Sequence, residues 1–402
     1  MDILGHIILS ILIGLGTSVF AVPVIVRVVR KLKILDHPNI RSSNVHPIPT
    51  LGGIAVYIAF LFGTAVGSFG YELPELIYII AASTLMLFIG LKDDLVTLSP
   101  GKKVLGQIIA AFILIFLAKI RFTNLHGLFG IGEIGLLPGS LITLLFIVLL
   151  INSINLTDGI DGLASGLSML IAFIFGSWFY LSGHIGYAVL SFSLIGALGG
   201  FFYFNVYGKE NKIFMGDTGS LFLGTIISVL MIRFNEFNLN VSHPFAIESV
   251  PAISLGILAY PLIDTMRVMA IRILQYKSPF SADKNHLHHR LLVLGYSHVK
   301  ATYTIIVLNI LFIAILFALH HIGVLRLMVY IILSGSFLFM IPAYFIRKRK
   351  LIRKNDPVQQ LLLPGSSDEI FRNRLHNKRG LRKKSETDFI KRKTFSQKFN
   401  IW

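Results

Sequence analysis

The sequence sets adjacent carboxylates close to lysines, a combination that suits phosphate and metal chemistry. Asp93 and Asp94 are neighbours, and Lys102 and Lys103 follow shortly after them. Adjacent carboxylates repel each other, and holding them near hydrocarbon is costly unless a positive group compensates. One or two carboxylates can hold Mg²⁺ while substrate phosphates complete its shell. The alternative interpretation is a solvated loop pair that caps a helix.

A second polar segment follows a later apolar run and combines amides with carboxylates. It contains Asn152, Asn155, Asp158 and Asp161. If the next helix starts here, the two aspartates share one side of its first turn. Asp-Gly dipeptides also occur in ordinary turns. Asparagines at membrane depth need a reason, and this favours a binding site.

Asp217 lies in the motif Gly-Asp-Thr-Gly-Ser directly before a long apolar run. It could simply cap the following helix. Glycine on both sides would also let the backbone approach a phosphate or metal closely. Asn205, at the end of the preceding apolar run, is a second polar group at the same edge.

Three histidines and an arginine are concentrated in one later segment, at His286, His288, His289 and Arg290. Clusters of histidine and carboxylate can hold zinc. A cluster with flanking cations and no adjacent carboxylate pair suits phosphate better, because imidazole and guanidinium groups donate to phosphate oxygens. We therefore favour phosphate recognition over metal ligation.

The segment before residue 53 contains His46 and Thr50 among prolines, followed by the pair Gly52-Gly53. Prolines followed by a glycine pair predict a rigid turn that leads into a helix. We include His46 and Thr50 among the candidate substrate-binding residues.

Composition predicts that these segments connect membrane spans. Of 402 residues, 54% are hydrophobic and only 14% are charged, and the mean hydropathy is +0.74. Apolar runs of spanning length recur along the chain. We expect an all-α polytopic membrane protein with about eleven spans, near 3–27, 52–70, 75–91, 104–121, 138–152, 163–182, 185–205, 218–233, 251–272, 302–320 and 324–346. The absence of cysteine excludes disulfides and thiolate chemistry.

Basic residues predict the orientation of the chain. The first apolar run has no Lys or Arg before Arg27, which argues against a cleaved signal peptide and for a retained span with its N-terminus outside. Loops 28–51, 92–103, 153–162, 206–217 and 273–301 would then be cytoplasmic, and most basic residues outside the tail fall in these loops. Loop 122–137, rich in glycine, would lie outside as a small hairpin.

We expect two regions: a membrane-embedded domain, residues 1–346, and a basic cytoplasmic tail, residues 347–402, that is partly disordered. The tail has 17 Lys and Arg against 5 Asp and Glu, so it holds much of the formal net charge of +17. This pattern indicates attraction to anionic lipid. No aromatic residues alternate with the basic ones as in single-strand binders, so we expect no nucleic-acid partner.

Taken in order, these motifs resemble the polyprenyl-phosphate N-acetylhexosamine-1-phosphate transferase family (glycosyltransferase 4 type). The order is Asp-Asp, Asn-x-x-Asn-x-x-Asp-Gly-x-Asp-Gly, Phe-Met-Gly-Asp-x-Gly-Ser and a histidine cluster, and the match covers roughly residues 1–346. The motif His-Leu-His-His is similar to the His-Ile-His-His of the branch that transfers GlcNAc-1-phosphate. The phospho-MurNAc-pentapeptide translocase branch instead has three consecutive histidines. The segment Val45–Gly53 also lacks the lysine that the translocase has before Pro-Thr-Met-Gly-Gly.

The resemblance implies an enzyme of the bacterial cell membrane with a cytoplasmic active site. It would transfer GlcNAc-1-phosphate from UDP-GlcNAc to undecaprenyl phosphate, releasing UMP, as the first membrane step of a cell-envelope polysaccharide. Alternatives are the same reaction with another UDP-amino sugar or with UDP-MurNAc-pentapeptide. A transporter of an anionic solute is a rival reading, but its ionisable residues would lie near the membrane midplane, often in repeated halves. The oligomeric state stays open, with a homodimer as one option.

As a hypothesis for the mechanism, Asp217 is the first choice for the Mg²⁺ ligand, with Asp94 as helper; Mn²⁺ is an alternative ion. Asp93 would orient or deprotonate the lipid phosphate. The remaining candidates divide by the part of the substrate that they would contact. The nucleoside and sugar would be held by Asp158, Asp161, Asn155 and Asn205, with Asn152 at the same edge, and the phosphates by Lys103, His286, His288, His289 and Arg290.

Overall fold

The computed structural model describes residues 2–36, 48–240, 243–276 and 285–355. Within these ranges the chain is a bundle of helices with two very short antiparallel strand pairs. The helices are α1 (Ile3–Lys31), α2 (Gly52–Gly67), α3 (Leu76–Val96), α4 (Pro100–Phe112), α5 (Leu136–Thr157), α6 (Leu163–Leu181), α7 (Ile185–Tyr207), α8 (Gly216–Phe237), α9 (Val250–Ile257), α10 (Ala259–Leu274), α11 (Leu287–Val293), α12 (His298–Ala318) and α13 (Val324–Asn355).

The strands are β1 (Leu35–Asp36), paired with β2 (Ile48–Pro49), and β3 (Asn124–Leu128), paired with β4 (Ile131–Glu133). The second pair confirms the small hairpin predicted in loop 122–137. His46 lies outside the described residues, so its place stays a prediction. The chain divides into two units after Pro342, and every contact below lies within the first.

Among the described residues, nine helices are long and apolar enough to span a membrane, when α4 is counted with the π-helical segment Ile113–Leu117 that continues it. The class of all-α polytopic membrane protein is confirmed, whereas the total of eleven spans and the orientation stay predictions. Two other predicted spans correspond to shorter elements, α2 and the α9–α10 pair. The break between α9 and α10 has a local cause, because Pro261 has no N–H to donate to the carbonyl of Ile257.

Several helices extend further than their apolar runs predicted. Asp93 and Asp94 were placed in a loop, yet α3 continues to Val96 and α4 begins at Pro100, so both carboxylates are helical. The expectation that Asp158 and Asp161 share the first turn of a helix is wrong. Gly162, with a φ of 77°, precedes α6, and both aspartates lie in the connection before it.

The core of the bundle is built around α8, which packs against α3, α5 and α2. Its apolar residues are almost all buried. The ring of Phe222 packs edge-on against Tyr57, with 5.2 Å between the ring centroids, and it also packs against Phe60, with 5.5 Å between the centroids. A helix that is apolar on all sides belongs inside a bundle. Its N-terminal end carries Asp217, so the most enclosed helix holds the principal candidate ligand.

A partly buried ionic group ties the helices together at the end of the bundle away from Asp217. Arg233 on α8 contacts Glu75 at 2.5 Å and donates to the Tyr187 hydroxyl at 2.9 Å. Glu236, one turn further on, accepts both hydrogen bonds of Thr123. We call this the far end of the bundle and the end with Asp217 the site end. Contacts at both ends therefore fix the register of α8 against α3.

Candidate active site

Lys103 joins the two carboxylates at the centre of the site end. Its ammonium nitrogen lies 2.6 Å from Asp93 Oδ2 and 2.6 Å from Asp217 Oδ2, so α3, α4 and α8 meet at this point. The side chain of Asp93 is only 11% exposed, so solvent screens the interaction weakly. The sequence predicted a bound divalent cation as the group that compensates these charges, and this stays a prediction. In this structure the Lys103 ammonium lies between them.

The other oxygen of each carboxylate also has a donor. Asn155 donates to Asp217 Oδ1 at 2.9 Å and to the hydroxyl of Ser220 at 2.8 Å. The backbone N–H of Leu98 donates to Asp93 Oδ1 at 2.5 Å. Both carboxylates are therefore held in fixed orientations, with their second oxygens turned toward the Lys103 ammonium.

Asp94 holds the N-terminus of α8. Its carboxylate accepts from the backbone N–H groups of Asp217 (2.9 Å) and Thr218 (3.0 Å) and from the Thr218 hydroxyl (2.6 Å). These N–H groups have no partner inside the helix, so a carboxylate there stabilises the helix start. Gly216 has a φ of 72°, and a Cβ on it would overlap with Asp94. Asp94 thus positions Asp217.

The end of the first loop is anchored beside the same motif. Gly52 donates to the Phe214 carbonyl at 2.9 Å, and Gly53 donates to the Met215 carbonyl at 3.0 Å. A Cβ on Gly53 would overlap with the backbone of Gly219, so the starts of α2 and α8 cross at van der Waals distance. Thr50 is half-buried next to this crossing.

The connection between α5 and α6 is fixed from several sides. Asp161 contacts Lys212 at 2.6 Å and His298 at 3.3 Å, and its carbonyl accepts from Thr302 at 2.8 Å. The buried Asn205 accepts from the N–H of Gly162 at 2.6 Å and donates to a carbonyl in the α7–α8 loop. The Asn205 amide therefore positions backbone segments.

The two aspartates of this connection have opposite electrostatic environments. Burial raises the pKa of Asp158 to about 8, and the charges of Asp217, Asp94 and Asp161 add to the effect. Burial also disfavours the charged form of Asp161, but hydrogen bonds from His298 and Lys212 outweigh it and lower its pKa below the ordinary value. Two carboxylates with diverging pKa values are typical of sites in which one exchanges a proton and the other stays ionised.

The histidine segment packs on this connection. His288 is buried, and a Cβ on Gly159 would overlap with its ring, so the two are in direct contact. Burial lowers the pKa of His288 to about 3, which keeps it neutral. The His286 ring stacks on that of His288, with 5.7 Å between the ring centroids, and the centroid of the His289 ring lies 4.3 Å from that of His288. Arg290 lies on the same short helix, α11.

A buried carboxylate partners the histidine cluster, contrary to what the local sequence suggested. Asp264 on α10 lies 3.0 Å from His286 Nδ1 and 2.6 Å from Arg267. The sequence reading missed Asp264, Arg267, Lys212 and His298. A charged residue inside the apolar run Tyr-Pro-Leu-Ile-Asp was the available signal, because charges at membrane depth are costly. No local signal pointed to Lys212 or His298.

A cavity of about 120 Å³ adjoins the central carboxylates between α4, α5 and α10. Asn152 lies in its wall and is held by Gln107, to which it donates at 2.8 Å. The cavity combines a basic and polar part with an apolar part. Its lining is Lys103, Asn152, Asn155 and Arg272, with Leu98, Pro100, Val104, Leu156 and Met269.

The donor set at the centre fits Mg²⁺ in its usual protein environment. Among the described residues no group of three or more His, Asp or Glu side chains is placed to hold a metal. Mg²⁺, however, is commonly held by one or two carboxylates, with waters and substrate phosphates completing an octahedron. Asp93 and Asp217 direct one oxygen each to the same point. Both oxygens of Asp94, by contrast, accept hydrogen bonds from the start of α8.

Comparison with known proteins shows the family of the chain. The sequence profile described as glycosyl transferase family 4 matches residues 76–235, which carry all the carboxylates at the centre of the site and in the α5–α6 connection. The chain is 32% identical over 281 residues to the undecaprenyl-phosphate alpha-N-acetylglucosaminyl 1-phosphate transferase of Escherichia coli strain K12, covering 68% of this chain and 73% of that protein.

It is also 32% identical over 309 residues to a Bacillus subtilis strain 168 protein named probable undecaprenyl-phosphate N-acetylglucosaminyl 1-phosphate transferase. That alignment covers 76% of this chain and 83% of the relative. The identity and coverage exceed what a shared membrane composition would produce. The chain is a membrane-embedded sugar-1-phosphate transferase and belongs to glycosyl transferase family 4.

Proposed function

We propose that the protein transfers GlcNAc-1-phosphate from UDP-GlcNAc to undecaprenyl phosphate, giving undecaprenyl diphosphate-GlcNAc and UMP. The names of the relatives support the lipid acceptor and the sugar. The observation that carries the proposal is the convergence of Asp93, Asp217 and Lys103 beside a cavity with both cationic and apolar walls. This arrangement suits two phosphorylated substrates, one of which has a hydrocarbon tail.

The reaction needs alignment and charge compensation more than activation of the nucleophile. The second pKa of a phosphate monoester is near 6, so the acceptor is mostly dianionic at neutral pH. Its oxygen forms a bond to the sugar-bearing phosphorus, and the bond from that phosphorus to the bridging oxygen breaks. The electron pair leaves with UMP. Repulsion between the anions is the main barrier, so cationic donors should dominate catalysis.

Asp93 and Asp217 would hold Mg²⁺ at the point where their oxygens converge, with Mn²⁺ as an alternative. The ion, when bound, would neutralise charge on the phosphates and align them. Lys103 would then leave the carboxylates and donate to a phosphate oxygen. Asp94 would keep the start of α8 in place. We favour a single displacement, with no covalent intermediate on an aspartate.

The nucleotide sugar would lie over the α5–α6 connection. Asp158 and Asp161 offer acceptors for hydroxyl and amide groups, while Asn205 and Lys212 hold the connection itself. His288 contacts the same connection. His286, His288 and His289 would donate to the diphosphate together with Arg290. His46 and Thr50 of the first loop stay candidates for contacts with the substrate.

The lipid phosphate would enter the cavity between α4, α5 and α10. Arg272 and Lys103 supply positive charge there, and Leu98, Val104 and Met269 supply an apolar wall. A polyprenyl phosphate has both of these properties. Its anionic head would lie between the two cations, close to the central carboxylates, which is where in-line attack requires the acceptor oxygen.

The test is transfer of radiolabelled GlcNAc-1-phosphate from UDP-GlcNAc to undecaprenyl phosphate in detergent, with Mg²⁺ or with EDTA. We expect a lipid product and UMP with Mg²⁺, neither with EDTA, and a loss of at least about a hundredfold in Asp217→Asn. Glu133→Gln, an exposed carboxylate at the far end, is the matched control and should be as active as the parent.

Two other results would change the proposal. Turnover with a different UDP-amino sugar, and none with UDP-GlcNAc, would keep the mechanism and change the substrate. The proposal would be refuted if no UDP-sugar were turned over by protein whose thermal transition shows that it is folded. Exchange of UMP with UDP-GlcNAc in the absence of lipid would contradict single displacement and favour a covalent intermediate.

A further inference from the structure

The Asp264–His286 pair is buried, and the proposed reaction assigns no role to Asp264. Both side chains are only 4% exposed, and His286 Nδ1 lies 3.0 Å from Asp264 Oδ2. The other ring nitrogen of His286, Nε2, is also buried and has no hydrogen-bond partner among the described residues. A buried nitrogen without a partner carries an uncompensated desolvation cost, so a ligand atom that meets it would bind favourably.

The contacts of Asp264 decide which nitrogen of His286 carries a proton. Arg267 donates to Asp264 Oδ1 at 2.6 Å, and the backbone N–H of Leu287 donates to the same carboxylate at 3.2 Å. A cationic partner favours the ionised carboxylate, which can only accept. His286 Nδ1 must therefore be the donor. Nε2 is left as an acceptor in the neutral ring or as a second donor in the charged ring.

The position of His286 connects this pair to the substrate. His286 precedes the first residue of α11, and its ring is nearly parallel to that of His288, at 9°. His288 in turn contacts Gly159, in the connection that carries Asp158 and Asp161. The ring of His288 therefore lies between this pair and the connection where the nucleotide sugar is proposed to bind.

We propose that Asp264 is a positioning residue, which holds the Nδ1–H of His286 so that Nε2, which carries the second proton of the charged ring, donates to a phosphate oxygen of the nucleotide sugar. The proposal rests on the proposed function for the identity of the phosphate. The same device orients histidines in metal sites, where a carboxylate fixes the ring and sets which nitrogen acts. Arg267 balances the charge of Asp264 and keeps it from turning away.

A purely structural role is the competing explanation. Asp264 also accepts from Leu287, the first residue of α11, and so stabilises the start of that helix. Loss of this contact alone would lower stability and would not depend on the presence of His286. The two explanations therefore differ in the coupling between the residues.

A double-mutant cycle measures this coupling. We expect Asp264→Asn and His286→Gln each to lower kcat/KM by about 10- to 100-fold. The kcat/KM of the double variant should be no more than about threefold below that of the less active single variant. Asp264→Glu, which retains the carboxylate, should recover part of the loss. Losses that multiply in the double variant, or an Asp264→Asn enzyme with parental kcat/KM, would overturn the proposal. Glu133→Gln is again the matched control.

A second measurement does not depend on turnover. In protein labelled with ¹⁵N-histidine, one ring should show a protonated Nδ1 in a strong hydrogen bond; this signal should vanish in His286→Gln and shift in Asp264→Asn. A His286 ring protonated only at Nε2 would refute the positioning role. If the parent protein shows the Nδ1 signal but turns over no UDP-sugar, the proposed function fails and the orientation of His286 by Asp264 still stands.

Discussion

Lys103 and Asp217 are 114 residues apart in the sequence, yet the Lys103 ammonium lies 2.6 Å from Asp217 Oδ2. The same ammonium contacts Asp93. A single lysine therefore occupies the point at which two carboxylates converge, where the proposed Mg²⁺ would lie. The lysine and the metal ion should compete for these oxygens, and the lysine becomes available for phosphate once the ion binds.

Lys103→Gln should bind Mg²⁺ more tightly than the parent and still be a poor enzyme. Without the ammonium the two carboxylates repel, so a cation that joins them gains affinity, by about tenfold or about 1.4 kcal/mol. Turnover should fall by about a hundredfold, because a phosphate loses a donor. The measurement is the thermal transition as a function of Mg²⁺ concentration. An unchanged or weaker response to Mg²⁺ would contradict the competition, and Lys102→Gln, an exposed neighbour, is the control.

Gly90→Ala should disturb Asp217 through the backbone. A Cβ on Gly90 would overlap with the carbonyl of Asp217, so α3 and the start of α8 must separate. We expect a destabilisation of about 1–3 kcal/mol and a fall in kcat of about a hundredfold from misalignment. Gly16→Ala is the matched control, since a Cβ on Gly16 has open space around it. Parental kcat in Gly90→Ala would show that the exact crossing of these helices does not matter.

Lys212→Gln should weaken binding of the nucleotide sugar more than it slows the chemical step. Lys212 holds Asp161 at 2.6 Å, and Asp161 belongs to the connection proposed to bind the nucleoside and sugar. Steady-state kinetics should show KM for UDP-GlcNAc raised about tenfold, with kcat changed less than about threefold. Lys209→Gln, in the same loop and exposed, should leave both constants unchanged. A fall in kcat at unchanged KM would instead assign Lys212 to the reaction.

His288 should make the fold sensitive to mildly acidic pH. Its pKa is about 3 in the folded protein against about 6.5 in an unfolded chain. The unfolded state therefore takes up a proton first as pH falls, and the stability present above pH 6.5 declines between about 6.5 and 3. By pH 5 the loss is about 2 kcal/mol.

Thermal transitions at pH 7.5 and pH 5 should therefore differ less in His288→Gln than in the parent. His243→Gln is the comparison, because that side chain lies at the far end, outside the buried cluster. An equal acid sensitivity in the parent and in His288→Gln would mean that His288 does not stay neutral in the folded protein.

The orientation of the site can be measured because the natural sequence has no cysteine. Lys209→Cys reports on the site end and Glu133→Cys on the hairpin of the far end. In intact cells a membrane-impermeant thiol reagent should label Glu133→Cys, and should label Lys209→Cys only after the membrane is opened. The reverse pattern would refute a cytoplasmic active site.

The sequence by itself determined the class of the protein and most of the chemical groups at the site. Recurrent apolar runs leave no soluble alternative, since backbone polar groups in hydrocarbon must be satisfied within helices. The motifs around Asp93, Asp158 and Asp217 stand out because charges beside such runs are costly and need a cause. The glycine-rich segment before residue 137 was correctly predicted as a hairpin.

Only the tertiary structure decided which residues act together and which ones hold others in place. Asp94 and Asp93 are equivalent in the sequence, but a helix turns neighbours by about 100°, so one supports α8 and the other faces Lys103. Asp264 meets His286, and His298 meets Asp161, between segments that are separate in the sequence. Such pairings depend on how whole helices pack, and packing is set by many distant contacts that no local pattern encodes.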